Sequence, residues 1–286
     1  MKVSALYQNG GRSLSFEIFP PKKDDELKNI DDTLDVLCEL KPDFISVTFG
    51  AGGSCNCNKT IELARKIKED YHVEPVVHLT CLCYDRNEID AFARTLMDCG
   101  IENILALRGD VREGVVKKQD FTYASDMVTY LKEKYDFCIL GACYPERHPE
   151  SGDMVDEIKH LKTKVSAGTE VLLSQLFFDN ALFYDFADRC RIADIDVPLI
   201  PGIMPVVKAA QIRRMVSLCH ASFPLRFQKI VDRYETNREA LFDAGMAYAL
   251  SQIIDLLVSG TDGIHLYTMN NPCIARRICE GIKHII

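Results

Sequence analysis

The chain has 286 residues, 47% of them hydrophobic and 27% charged, with a net charge of −8 at pH 7. That is the balance of an ordinary globular protein with enough chain for a sizeable core, built as one barrel or two smaller domains. The negative charge speaks against general nucleic-acid affinity, which needs a basic footprint. No run reaches the ~18 apolar residues of a membrane span. Met1 to Gln8 lacks the apolar core of a secretion signal, so a cytoplasmic setting is expected. The twelve scattered cysteines are then expected to stay reduced.

The first strand is expected over 13–19. Alternation puts Leu14, Phe16 and Ile18 on one face and Ser13, Ser15 and Glu17 on the other. Pro20 and Pro21 stop it. Glu17 is a carboxylate inside an apolar strand, where a charge without a partner costs several kcal/mol, so it pairs, protonates or does chemistry. Further strands are expected over 43–49, 75–80, 102–107, 137–143, 170–176, 197–201 and 263–268. Helical patterns lie between them near 24–40, 57–70, 86–99, 122–135, 153–167, 180–193, 206–220 and 271–284. An additional helix near 235–259 precedes the last strand. Asp24 and Asp85 stand near helix starts, where their side chains accept from free backbone N–H groups.

Eight strand–helix units in this length predict a (β/α)8 barrel, the TIM-barrel form of the α/β class. No Pro/Gly/Ser-rich linker divides the chain, so a single catalytic domain over 1–286 is expected. The rival is a doubly wound sheet, with Gly50-Ala51-Gly52-Gly53-Ser54 as a dinucleotide loop, but the G-x-G-x-x-G spacing is not met.

A barrel builds its active site at the C-terminal ends of its strands. Those ends carry Glu17, then Ser46 and Thr48, His78 and Thr80, Arg108-Gly109-Asp110, Tyr144 to His148, Gln175, and Tyr267-Thr268. Each has a plain structural reading: His78 as a satisfied core imidazole, Arg108 and Asp110 as an ion pair closing a loop, Gln175 bonded to strand backbone. Their shared placement on separate strands makes Glu17 an active-site candidate. The Cys55/Cys57 and Cys81/Cys83 pairs follow adjacent strands, but C-x-C is not the usual metal-binding spacing, and no metal is expected. The chain contains no G-x-S-x-G elbow, H-E-x-x-H motif or Walker loop.

From Ser15 to about Asn270 the motifs resemble those of the methylenetetrahydrofolate reductase family. The resemblance rests on Ser15-Phe16-Glu17-Ile18-Phe19-Pro20-Pro21-Lys22, Val47-Thr48-Phe49-Gly50-Ala51, His78-Leu79-Thr80-Cys81 and Ala106-Leu107-Arg108-Gly109-Asp110. It continues through Tyr123-Ala124-Ser125-Asp126, Tyr144 to Glu150, Gln175 to Asp179, Ile200 to Pro205 and Tyr267 to Asn270. It implies FAD bound in a barrel, with Thr48, Phe49, Ala51, His78, Arg108, Gly109, Asp110, Tyr123, Ala124, Tyr144, His148, Glu157, His160 and Lys164 lining the flavin. The implied reaction reduces 5,10-methylenetetrahydrofolate to 5-methyltetrahydrofolate. NADH or NADPH reduces the flavin and leaves, and the folate then takes its place, a ping-pong hydride transfer. Glu17 matches the family's general acid, protonating folate N10, and Asp110 the carboxylate beside flavin and folate. Gln175 and Gln211 match substrate contacts.

The chain also departs from the family pattern. Asn271 stands where many bacterial relatives have Arg, Met215 where a phenylalanine is frequent, and His160 and Thr163 replace more usual flavin-side residues. The chain ends soon after the barrel, so no regulatory domain and no inhibition by S-adenosylmethionine are expected. The resemblance implies a homo-oligomer. The alternatives are a reductase fed by an accessory electron-transfer subunit, an iron–sulfur or flavin protein, and a non-catalytic barrel subunit.

Overall fold

In the computed structural model, the alternating segments form nine parallel strands wrapped by helices, with residues 1–21, 27–49, 57–109 and 117–286 described. The strands are β1 (Ser13–Ile18), β2 (Phe44–Val47), β3 (Glu74–Thr80), β4 (Asn103–Leu107), β5 (Cys138–Cys143), β6 (Val171–Ser174), β7 (Leu199–Ile200), β8 (Gly202–Ile203) and β9 (Gly263–Tyr267). The helices are α1 (Leu27–Glu39), α2 (Cys57–Glu69), α3 (Arg86–Asp98), α4 (Ala124–Lys134), α5 (Met154–Ser166), α6 (Asn180–Ile192), α7 (Ala209–Cys219), α8 (Leu225–Tyr234), α9 (Arg238–Val258) and α10 (Pro272–Ile282).

Strand order runs β7-β6-β5-β4-β3-β2-β1-β9-β8. The two ends of that order flank Pro201 in one extended segment, which brings the sheet round to a nearly closed barrel. A single strand was expected over 197–201. Proline has no N–H to give to a ladder, so the segment splits into a piece paired with β6 and a piece paired with β9. The Pro201 carbonyl still accepts from the His265 N–H at 3.0 Å.

Alternation divides the core into two layers. Leu14, Phe16 and Ile18 of β1 point outward and pack with Ile30 and Leu34 of α1, Ala64 and Ile67 of α2, and Ile274 and Ile278 of α10. Inside the barrel, Phe44, Val76, Leu105, Leu140, Val171, Leu173 and Ile200 pack around Val3. Val3 sits on a short 3-10 helix (Val3–Tyr7) that the hydrophobic pattern did not reveal. Asn103 fastens this plug, accepting from the Val3 N–H at 2.7 Å and donating to the Met1 carbonyl at 3.0 Å.

Two helices, α8 and α9, precede the last strand beyond the regular α7, where one was expected. Phe227 and Val231 give α8 a buried stripe, and Phe227 stacks on Tyr248 of α9 at 4.1 Å between ring centroids. Helix α9, at 21 residues, is long and apolar enough by length and composition to cross a membrane. It carries Asp243 and Asp255 and buries Leu241, Met246, Ile253 and Leu256. Asp85 caps α3 in a reciprocal box with Glu88, as its position predicts; Asp24 lies outside the described residues.

The exit of β9 fixes the end of β1. Thr268 Oγ1 donates to the Glu17 carbonyl at 2.8 Å, and Asn270 both donates to and accepts from the Phe19 backbone, each at 2.9 Å. Asn270 holds this grip at φ 54°, a left-handed conformation that asparagine tolerates better than most residues. Asn270→Ala, which loses both bonds and keeps the unfavourable φ, is expected to lower stability by about 2–3 kcal/mol in denaturant unfolding. Asn270→Gly removes the bonds but not the conformational fit and is expected to lose less.

Candidate active site

The inner face of β1 carries Ser13, Ser15 and Glu17, with Glu17 in register with Ser46 of β2 and Tyr267 of β9. Three polar side chains from neighbouring strands therefore meet at the C-terminal mouth of the barrel. The Glu17 side chain is 13% exposed and that of His78, on β3, 8%. Glu17 Oε2 lies 3.6 Å from His78 Nε2. Burial pushes the Glu17 carboxyl up to about 8 and pulls the His78 imidazole down to about 3. At pH 7 the two are therefore neutral neighbours and not an ion pair. The plain reading of Glu17 as half of a structural salt bridge fails: among the described residues no Lys or Arg pairs with it. His78 is likewise no satisfied core imidazole, because its buried Nε2 has no hydrogen-bond partner.

A second buried imidazole lies below them. His265 of β9, 1% exposed, meets Ser15 Oγ at Nδ1 (2.8 Å) and Ser46 Oγ at Nε2 (3.4 Å). Burial, with His78 adding to it, pulls His265 down to about 3. Nothing in the motifs singled His265 out. The signal was its two-residue spacing from Tyr267, which puts both on the inner face of β9 opposite Ser15 and Glu17. Tyr267 donates to the Ser174 carbonyl at 2.6 Å. Its ring fits because position 202 is glycine: a Cβ there would stand 2.6 Å from the ring and 2.3 Å from the Ser174 carbonyl oxygen.

A second cluster lies beyond β4 and β5. Arg108 holds Glu150 with both terminal nitrogens, at 2.5 and 2.8 Å, a bidentate pair that orients the guanidinium. Gly109 follows at φ 88°, where a Cβ would crowd Thr80 at 3.1 Å. The His148 N–H and the Ser151 hydroxyl donate to Glu157 at 3.0 and 2.7 Å. The Tyr144 ring meets His148 edge-on at 4.8 Å, and the exposed Tyr123 stacks on the exposed His160 at 6.5 Å. Ala124, next to Tyr123, is buried. The Lys164 ammonium, partly buried, donates to the Ala142 carbonyl at 2.6 Å, and desolvation pulls it below the usual lysine range.

The remaining expected site residues are placed as follows. Thr48 is buried with Oγ1 lacking a hydrogen-bond partner. The Phe49 ring packs edge-on against Tyr84 and Phe92, at 5.7 and 5.5 Å, within the strand–helix layer. Gln175, just past β6, folds its side-chain oxygen back onto the Leu176 N–H at 2.9 Å, and Gln211 on α7 lies 3.7 Å from the Met204 sulfur. Asn271 caps α10 by accepting from the Cys273 N–H at 3.1 Å. Ala51, Asp110 and Cys55 lie outside the described residues. Among the described residues no three His, Cys, Asp or Glu side chains gather as a metal site.

These perturbed groups set opposite pH arms for stability. Glu17 holds its proton more tightly folded than unfolded. Its contribution is complete below about 4.5 and is lost as pH rises through about 8. His78 and His265 bind protons less tightly when folded. Their contribution is complete above about 6.5 and is lost as pH falls towards about 3. Glu17→Gln, which cannot ionise, is therefore expected to match the wild type in thermal unfolding near pH 4. It should exceed the wild type by on the order of a few kcal/mol above pH 8. Equal stabilities at pH 9 would mean that the carboxyl is not desolvated.

Comparison with known proteins accords with this arrangement. A family model described as methylenetetrahydrofolate reductase matches residues 2–283. The 5,10-methylenetetrahydrofolate reductase of Escherichia coli is 36% identical over 273 residues, covering 96% of this chain and 91% of its own. Methylenetetrahydrofolate reductase (NADH) 1 of Arabidopsis thaliana is 34% identical over 284 residues. The match covers 94% of this chain, and the chain spans about half (48%) of the plant protein's length. Among solved structures, a Clostridium thermocellum protein that binds two copies of 5-methyl-5,6,7,8-tetrahydrofolic acid superposes with a TM-score of 0.64. That match covers 96% of both chains at 14% identity, a likeness of fold alone. With the family model spanning nearly its whole length and Glu17 in place at the mouth of the barrel, the chain belongs to the methylenetetrahydrofolate reductase family.

Proposed function

We propose that this chain reduces 5,10-methylenetetrahydrofolate to 5-methyltetrahydrofolate, taking electrons from NADH or NADPH through FAD held at the mouth of the barrel. The observation that carries the reading is the Glu17 carboxyl, pushed up to about 8 at the end of β1. An acid that must be protonated near neutral pH needs that environment.

The residues at the mouth fit a flavin dinucleotide. Thr48 Oγ1 is a buried polar atom without a hydrogen-bond partner, as expected of a group that meets a bound molecule. Arg108 and Lys164 supply positive charge for a pyrophosphate, with His148 as a further donor, and Gly109 allows close backbone approach. The exposed Tyr123–His160 stack offers a flat surface at the edge of this cluster. When bound, the flavin supplies the hydride chemistry, and the protein supplies position and protons.

Glu17 gives its proton to folate N10. The carboxyl O–H breaks, an N10–H forms, and the five-membered ring opens to an iminium that accepts hydride. Asp110 is proposed to steady that positive charge. Gln175 and Gln211 are proposed to contact the folate. By the resemblance Asn271 stands where many bacterial relatives have Arg, and it caps α10 with its side chain, so the folate's glutamate tail is proposed to find weaker anchoring there.

Two measurements test this reading. Anaerobic titration of the purified, FAD-loaded protein with NADH or NADPH is expected to bleach the flavin without any added protein. A flavin that neither nucleotide bleaches would point to a protein electron donor. Glu17→Gln is expected to lower folate turnover at least ~10²-fold, the size of a general-acid contribution, while nucleotide still reduces the flavin. Equal loss of both half-reactions would make Glu17 structural.

A further inference from the structure

At the mouth of the barrel one unpartnered buried atom faces a titrating group. His78 Nε2 lies 3.6 Å from Glu17 Oε2, too far for a hydrogen bond, and has no other partner. Once Glu17 has given up its proton, the carboxylate that remains is in a site where charge is costly. We propose that His78 stays neutral with its proton on Nε2, and that this N–H closes onto Glu17 Oε2 when the acid becomes a carboxylate. The inference rests on the proposed role of Glu17 as the acid.

The proton count is simple. The Glu17 O–H bond breaks, the folate N10–H bond forms, and the negative charge stays on the carboxylate. His78 loses no proton. The gap has to shorten by about 0.7 Å to reach an ordinary N–H···O distance. A bond absent for the neutral acid and present for the carboxylate lowers the barrier to proton transfer without steadying the ground state. A neutral imidazole is required for this. An imidazolium at the same place would draw the proton off Glu17 beforehand and leave no acid. Burial of His78 supplies that neutrality.

The other groups facing Glu17 are committed elsewhere. From β9, Tyr267 gives its O–H to the Ser174 carbonyl, and His265, behind His78, meets Ser15 and Ser46 with its two nitrogens. From β2, Ser46 lies in register with Glu17 and meets that same imidazole. Among the described residues, His78 is thus the donor placed for the carboxylate.

The test uses the flavin-free chain, labelled with 15N-histidine and 13C-glutamate and titrated by NMR from pH 5 to 10. His78 Nε2 is expected to bear a proton throughout, with its shift moving at the same midpoint as the Glu17 carboxyl. His78→Phe is expected to make Glu17 about ten- to a hundredfold less acidic, the effect of losing one hydrogen bond to a charged group. His78→Gln, which keeps an N–H donor, is expected to restore at least half of that shift. A bare Nε2, an Nε2 shift that stays flat while Glu17 ionises, or a Glu17 midpoint unchanged or lowered in His78→Phe would each overturn the proposal. The wild-type titration decides the matter even if neither variant folds. Failure of the folate reading would appear as absent turnover in the loaded wild type and would leave these titrations unaffected.

Discussion

Desolvation of one carboxyl group organises the mouth of this barrel. Glu17 is pushed up to about 8 by burial, with no charged partner contributing, and that burial depends on three strands. β2 and β9 flank β1 in register, and β3 brings a second neutral group against the carboxyl. Thr268 and Asn270 clamp the backbone on either side of Ile18, so the end of β1 cannot swing the carboxyl out to water. A site with a compensating lysine would be cheaper to fold, and it would hold a carboxylate instead of an acid.

The barrel interior is divided accordingly. Around β1, β2, β3 and β9 it carries Ser13, Ser15, Glu17, Ser46, His78, His265 and Tyr267 beside Phe44 and Val76, while around β4 to β7 it carries Leu105, Leu140, Leu173 and Ile200 beside Asn103. The polar half is tied by short hydrogen bonds, Ser15 to His265 and Tyr267 to the Ser174 carbonyl. Thr48 Oγ1 and His78 Nε2, at the rim, are among the buried polar atoms without partners.

Much of this was legible in the sequence because it depends on local pattern. The two-residue alternation of β1, with its closing prolines, pointed to Glu17, and eight strand–helix units pointed to the barrel. What escaped depends on contacts between distant segments. The Val3 plug is a few residues whose burial follows from closure of the strands around it. His265 looks like any polar residue in a short strand until β1 and β2 bring Ser15 and Ser46 to its two nitrogens. Arg108 is gripped by Glu150, 42 positions away, a partner that no local spacing announces, while Asp110 lies outside the described residues. The Phe49 ring packs with Tyr84 and Phe92, from later segments that the motif around it does not announce. The break at Pro201 was visible in the residue type, since proline cannot complete a central ladder, though the expected strand ran up to it.

The most direct measurement is the pH dependence of a single folate reduction by the pre-reduced protein. With Glu17 as the acid, the rate is level at neutral pH, bends near pH 8, and falls about tenfold per unit above it. A rate that rises with pH between 7 and 9, or stays level to pH 10, would contradict a desolvated Glu17 as the proton donor.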